Sequence, residues 1–508
     1  MFVRHIIVAL ASAVSLTHGS QPQKLLSLSN DNDRYGPSID CAKKNANFIF
    51  NAVHSSMRQW GNSLHHNGLS LYPAIIPQGT LLYHGAPDAK TPPSFEWLAF
   101  EIEHAELFAV SWEEAGQGRP SRQSILLSNV EKSTADEAHT QEEWIFKPGY
   151  LQVYQANRPL RVLYIDGSSA AKAPYGTLDS QDLIVLDKPR SHREEMERAE
   201  DLCTLAAEWG IDGFIRMEAG FELINCNFSD GFDYLSHKKR PETDGVRRRE
   251  DVFFAEYMRD VASRYHGIGA RRVLLDYSSM TSVFFYPANL SSEESGDYDL
   301  SLPRVMNTEH DQLLRIRSDL KESIFRQASV HDSIDWQGVV DMIVSRFADR
   351  LTLLEADLSY SILTLEIDNL LNMYIDFSET LPNITESTES CSLHYLQPVE
   401  PSTAQDHLLY AAIKTATHKI CTTLFQAREH LLGCTSACED SSVVPGMIRE
   451  LKEWLNWTTW KECQSCPQDT FCYIATYPWG FSKDHYNPSC LNQTELGIRG
   501  RVRGYWIW

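Results

Sequence analysis

After the first twenty residues the sequence contains no apolar run approaching the roughly 20 positions that a bilayer-crossing helix needs, which excludes an internal membrane span. The C-terminal RVRGYWIW lacks the small-residue site and hydrophobic tail of a lipid-anchor signal. Basic residues are scarce beside acidic ones: 46 Lys and Arg against 68 Asp and Glu leave a formal charge of -22. An acid excess of that size repels phosphate backbones and excludes a generic nucleic-acid surface. No single motif is specific enough to fix an activity by itself.

What is present points outward from the cell. MFVRHIIVALASAVSLTHGS has one Arg, an apolar stretch from Ile6 to Leu16, and small residues at Gly19 and Ser20, the layout of a secretory signal peptide. A secreted product is expected, with the cell wall as a further destination. Asn227, Asn289, Asn383, Asn456 and Asn492 each head an N-x-[ST] triplet, so each is an acceptor for glycan in a secretory pathway. Of 11 cysteines, eight fall late in the chain: Cys391, Cys421, Cys434, Cys438, Cys463, Cys466, Cys472 and Cys490. The spacings Cys463-x-x-Cys466 and Cys434-x-x-x-Cys438 suit zinc, but an oxidising compartment favours disulfides. We expect the eight to pair among themselves and Cys203 to bridge Cys226. The odd total leaves one thiol unpaired or bonded to a partner.

At 508 residues the chain is long enough for two or more domains. The expected fold class is α+β, a mixed N-terminal sheet with helices followed by a mainly α-helical, disulfide-rich C-terminal half. Strands are predicted at Thr80 to Tyr83, Leu160 to Ile165, Leu183 to Leu186, Gly213 to Arg216 and Phe221 to Asn225, each short, branched or aromatic, and bounded by Gly, Pro or Asp. SHREEMERAEDLCTLAAEWG predicts a helix with Ser191 and Glu194 as a capping box, a core stripe through Met196, Ala199, Leu202, Cys203 and Ala206, and Gly210 as the stop. VEKSTADEAHTQEE, 130–143, reads as a surface insertion. SHKKRPETDGVRRRE, 236–250, reads as a basic linker, its dibasic residues being a second candidate role as a processing site. Beyond it, Trp336 to Asp376 carries apolar positions at Val340, Ile343, Phe347, Leu351, Leu354 and Leu358, the stripe of a long amphipathic helix. SETLPNITESTES then reads as a polar linker. The expected divisions are therefore 1–20, 21–235, 236–250, 251–380 and 381–508.

The segment LLYHGAPDAKTPPSFEWLAFEIEHAELFA resembles the ADP-ribosyltransferase fold of the poly(ADP-ribose) polymerase and diphtheria-toxin branch. There, a strand ending in His-Gly opens the nicotinamide pocket, an aromatic-x-Ala motif stacks on the ring, and a Glu begins a late strand. Here the elements are His84-Gly85, Trp97-Leu98-Ala99 with the helix HAELFA, and Glu222 in WGIDGFIRMEAGFELINC. The resemblance implies NAD as substrate and a protein acceptor. Cleavage at the ribose builds positive charge, so a fixed carboxylate, Glu222, would stabilise the transition state. His84 would bond ribose hydroxyls, Gly85 would admit the carboxamide, and Trp97 would offer a flat face. Glu218 is a rival for Glu222, since both flank the same turn. The alternative is a non-catalytic extracellular or wall-associated binding protein carrying a degenerate version of the domain.

LYIDGSSAAK, YGTLDSQD, WGIDGFIRMEAGFE and CYIATYPWGFSKDHYNPSC make the chain as a whole similar to a group of large secreted fungal proteins. That likeness implies secretion and no particular activity.

Overall fold

The computed structural model describes residues 34–499 apart from 59–62, 66, 115–143, 173–175, 191–193, 219, 242–260, 262–267, 270, 291–302, 327–332, 357, 379–381, 434–441, 464, 476–483 and 485. The signal segment, the insertion at 130–143, Ser191, Cys434 and Cys438, and the dibasic residues after 241 lie outside the described residues.

Two short helices, α1 (Ile39–Lys44) and α2 (Ala46–Ser55), precede the strands. The strands are β1 (Ser63–Leu64), β2 (Ser70–Ile76), β3 (Leu81–Ala86), β4 (Glu96–Ala99), β5 (Val110–Glu114), β6 (Trp144–Pro148), β7 (Tyr150–Ala156), β8 (Leu160–Ile165), β9 (Gly213–Met217), β10 (Phe221–Asn225), β11 (Phe232–Lys239), β12 (Leu274–Leu275) and β13 (Thr281–Ser282). One sheet runs in the order β11-β7-β3-β4-β10-β9-β8-β2-β12, with β13 also on β2. Its pairings are antiparallel except β8 with β9. A parallel pair needs a long crossover, and residues 166–212 supply it. Helix α3 (Ile102–Glu106) lies over β3 and β4. β5 and β6 pair separately.

The crossover carries a correction. Leu183 to Leu186, expected as a strand, lies in the π-helical turn Ser180–Val185 and its cap. A short apolar run does not distinguish a buried strand from a buried helical turn, and here the Val185 carbonyl accepts from Arg317 Nε at 3.0 Å instead of joining a ladder. Next comes α4 (Glu195–Trp209), stopped at Gly210, whose φ of 64° is left-handed. Glycine takes that conformation without steric cost. Within the expected stripe Ala199, Leu202 and Ala206 are buried, but Met196 is 40% exposed. The core face runs instead through Glu195, Arg198, Leu202, Leu205 and Trp209.

A second correction concerns the basic linker: Ser236 to Lys239 are the end of β11, paired along β7 through a register shift between Tyr234 and Ser236. A polar strand survives there because it is the sheet edge and is exposed nearly throughout.

The helical half contains α5 (His310–Arg326), α6 (Trp336–Glu355), α7 (Tyr360–Leu371), α8 (Ile384–Leu393), α9 (Ala404–Gly433) and α10 (Val443–Leu455). The long helix expected from Trp336 to Asp376 is thus two, broken after Ala356, whose ψ is 160°. The apolar period continues across the break because Leu351 and Leu354 on one side and Leu363 and Ile367 on the other reach the same core. The second half of the expected polar linker, from Ile384, is the start of α8. Asn383 Oδ1 accepts from Glu386 N at 3.2 Å as its cap. Buried Ser387, Thr388 and Ser392 return their hydroxyls to carbonyls four residues back, at 3.0, 2.7 and 2.6 Å, so a polar sequence is buried without stranded donors.

The hydrophobic core is continuous between the halves: Phe50, Tyr72 and Leu163 belong to one cluster with Leu409, Ile420 and Ile448. α1 and α2 pack on α9. A buried carboxylate, Asp406, accepts from Trp336 Nε1 at 2.9 Å and Ser278 Oγ at 2.8 Å. A short tail follows with β14 (Thr459–Trp460) on β1, β15 (Phe471–Tyr473) on β16 (Ser489–Leu491), and α11 (Gln493–Arg499). Disulfides join Cys203 to Cys226, Cys391 to Cys421, Cys463 to Cys472 and Cys466 to Cys490. Cys463 and Cys466 are therefore spent on different partners, and the zinc reading of that pair gives way. Cys41 is a free thiol. No helix among the described residues is long and apolar enough to cross a membrane.

Candidate functional site

β3 is launched by a turn in which Gly79 has φ 90° and donates its N–H to Ala156 O at 2.7 Å. β4 and β10 then bring the expected residues onto neighbouring strands. Ala99 is the cross-strand partner of both Tyr83 and Glu222. Partners in a ladder share a face and successive residues alternate, so Glu222 lies on the face of Tyr83, and His84 lies on the other.

The surroundings agree. His84 is buried; its Nδ1 bonds Trp97 O at 2.8 Å and its ring lies 6.2 Å from Phe228. Trp97 is half-buried with its ring edge-on to Phe95 at 6.1 Å. Gly85 has no open side toward α3. A Cβ there would meet Ala105 O at 2.3 Å, Phe108 C at 2.5 Å and Ala109 N at 2.6 Å. The space that the resemblance reserves for a carboxamide is filled by backbone, and the residues present do not fit NAD at that point.

Glu222 belongs instead to an ionic ladder. Its Oε1 accepts from Arg216 Nη2 at 2.6 Å and Nε at 3.1 Å. Arg216 Nη2 also reaches Glu195 Oε1 at 2.5 Å, and Nη1 reaches Gln181 at 3.3 Å. Glu195 Oε2 accepts from Arg198 Nη1 at 2.9 Å, and Arg198 grips Asp182 with two bonds at 2.8 and 2.9 Å. The ladder therefore alternates Asp182, Arg198, Glu195, Arg216, Glu222. Burial would push the Glu195 carboxyl up, but Arg216, then Lys172, outweigh it and hold it at about 2.

Glu218 stands at the turn between β9 and β10, where its N–H bonds Gly220 O at 3.2 Å. Lys172 Nζ approaches its Oε2 at 3.4 Å. Burial, reinforced by the charges of Glu222 and Glu195 and opposed by Lys172, pushes its carboxyl up to about 7. Gly220 is required by crowding: an added Cβ would lie 2.8 Å from both Glu101 Oε2 and His104 Nδ1. Glu101 Oε2 accepts from Phe221 N at 3.0 Å, and burial, opposed by Glu222, lowers the pKa of His104.

The fold thus brings Glu222 and Arg216 to one face of the sheet, which Gly85 shares, sets Glu218 at the adjoining turn, and leaves His84 on the opposite face. The partners Glu195, Arg198 and Asp182 were not singled out in the sequence. A signal existed: Glu195, Arg198, Leu202, Leu205 and Trp209 step by three and four, so an acid and a base occupy core positions of an amphipathic helix.

Comparison with known proteins reaches the same half of the molecule. Residues 27–150 and 127–245 match the family model YPL277C N-terminal domain. The chain is 32% identical over 201 residues to "Uncharacterized protein YPL277C" of Saccharomyces cerevisiae, covering 36% of this chain and 41% of that one. It is also 32% identical over 200 residues to "Uncharacterized protein YOR389W" of the same yeast, covering 36% and 32%. The matched stretches thus span well under half the length of these curated relatives, and the likeness is to an uncharacterised fungal family. No solved structure matches.

Proposed function

We propose that the chain is a non-catalytic extracellular binding protein, with the cell wall as one destination, whose N-terminal half carries the motif order of an ADP-ribosyltransferase-like sequence pattern without its pocket. The observation that carries this reading is the alternation across Ala99: His84 and Glu222 face opposite sides of the sheet. That placement argues against a reaction that needs both side chains on one ribose. The sealed face of Gly85 supports the same conclusion.

The extracellular part of the reading is supported by four described disulfides, which persist in oxidising compartments. Asn227, Asn289, Asn383 and Asn492 are exposed, as glycan acceptors must be. The test is nicotinamide release from NAD by protein purified from culture medium. No release above the buffer blank is expected. Release that disappears in Glu222→Gln would overturn the reading in favour of NAD cleavage.

A further inference from the structure

A groove of about 690 Å³ lies between α6, α7 and the residues after α8, far in sequence from the ionic ladder. Its size falls within the roughly 300–1,000 Å³ of small-ligand sites. Arg346 forms its fixed floor. Its Nη2 donates to Leu370 O at 3.0 Å and contacts Met373 Sδ at 3.2 Å, while its guanidinium lies 5.6 Å from the Phe347 ring centre. Tyr395 forms one wall and is braced from behind: its ring is 4.7 Å from His394, which is 5.5 Å from Tyr374.

The groove is lined by Arg346, Arg350 and Asp349, and Arg350 is ion-paired with Glu366, which lies outside the lining. Once Glu366 is counted, two basic and two acidic groups balance, which gives an anion no preference, and the chain's charge of -22 repels acidic polymers. Yet the groove is far from apolar: Ser345, Asp349 and Asn369 are exposed along it, and their side chains make no hydrogen bond to another described residue. Amide and carboxylate groups present two atoms in one plane, matching adjacent hydroxyls that each donate and accept. The Tyr395 ring and the Met342 thioether supply apolar surface for the C–H faces between those hydroxyls.

We propose that this groove binds a neutral oligosaccharide. The proposal rests on the extracellular binding reading for where the ligand is met, and its test does not involve NAD, so either can fail alone. Full-length secreted protein is titrated calorimetrically with chitohexaose, laminarihexaose and mannohexaose. Saturable binding of at least one, with Kd below about 1 mM, is expected. Its Kd should be unchanged between low and high salt. Asn369→Ala and Tyr395→Ala should each weaken it about tenfold, the scale of one lost hydrogen bond or stacking contact. Tyr395→Phe, which keeps the ring, should bind nearly as wild type, and Asn369→Ala should leave Tm unchanged. Absence of binding to all three sugars overturns the proposal. So does binding that survives both alanine variants, or a preference for heparin that fades with salt.

Discussion

Arg216 and Glu195 meet in the dry interior between β9 and α4, both about 1% exposed, and the same guanidinium reaches out to Glu222 at the rim. Breaking a buried pair from one side leaves the other charge without compensation, and this costs about 3–5 kcal/mol. Glu195 would be the more damaging loss, because it serves Arg198 as well as Arg216.

Glu195→Gln should therefore lower stability by about 3 kcal/mol or more. Glu222→Gln should cost about 1 kcal/mol, since its carboxylate is 13% exposed and a neutral amide oxygen still accepts from Arg216. Urea unfolding of the two variants checks the order. Equal losses would mean that the ladder is not graded from core to rim.

Glu218 supplies a pH dependence. Its folded pKa of about 7 lies above the unfolded carboxylate value, so the folded state holds a proton that the unfolded state has released. Stability from this group falls as pH rises from about 4.5 to about 7, then levels. Glu195 acts oppositely: with a folded pKa of about 2, its contribution is present above about 4.5 and is lost as pH falls toward 2. Tm should peak in mildly acidic solution. In Glu218→Gln the decline toward neutral pH should vanish while the acid limb remains, which a thermal series from pH 3 to 8 would show.

The sequence made β8 and β10 legible to the residue, and the stop of α4 at Gly210, because branched runs between turn residues and a terminal glycine report local preferences. It misled wherever tertiary packing decided. Leu183 to Leu186 has strand composition, but an arginine on α5 takes its carbonyl. Ser387 and Thr388 look like a linker until their hydroxyls are turned inward against the helix and the neighbouring Cys391 is bonded to Cys421. At the candidate site, the motifs stand on the adjacent strands β3, β4 and β10, an adjacency that the sequence did not announce. Which face each residue takes depends on the register across β4, and a one-residue slip there would exchange the faces.

The Cys391–Cys421 bond closes a separation of 30 residues and clips α8 to α9. Replacing both cysteines by serine should lower stability by roughly 3–4 kcal/mol on loop-closure grounds. Peptide mapping without reduction should recover this pair together with Cys203–Cys226, Cys463–Cys472 and Cys466–Cys490. A Cys463–Cys466 peptide would contradict the described tail.

Gly85 separates the two accounts of the His-Gly pair most sharply. If glycine stood there to admit a ligand, Gly85→Ala would leave the fold intact and disturb only binding. The structure assigns it a different duty, because the nearest atoms to an added methyl are the backbone of Ala105, Phe108 and Ala109, all within 2.6 Å. Backbone at the end of a helix packed on the sheet cannot swing aside as a side-chain tip does. Gly85→Ala should thus push α3 away from β3 and destabilise by about 3 kcal/mol, the upper range for overpacking. Amide exchange should speed up at Ala105 to Ala109 and along β3, with β8 unaffected. A Gly85→Ala protein with wild-type stability and exchange would return that face to the ligand.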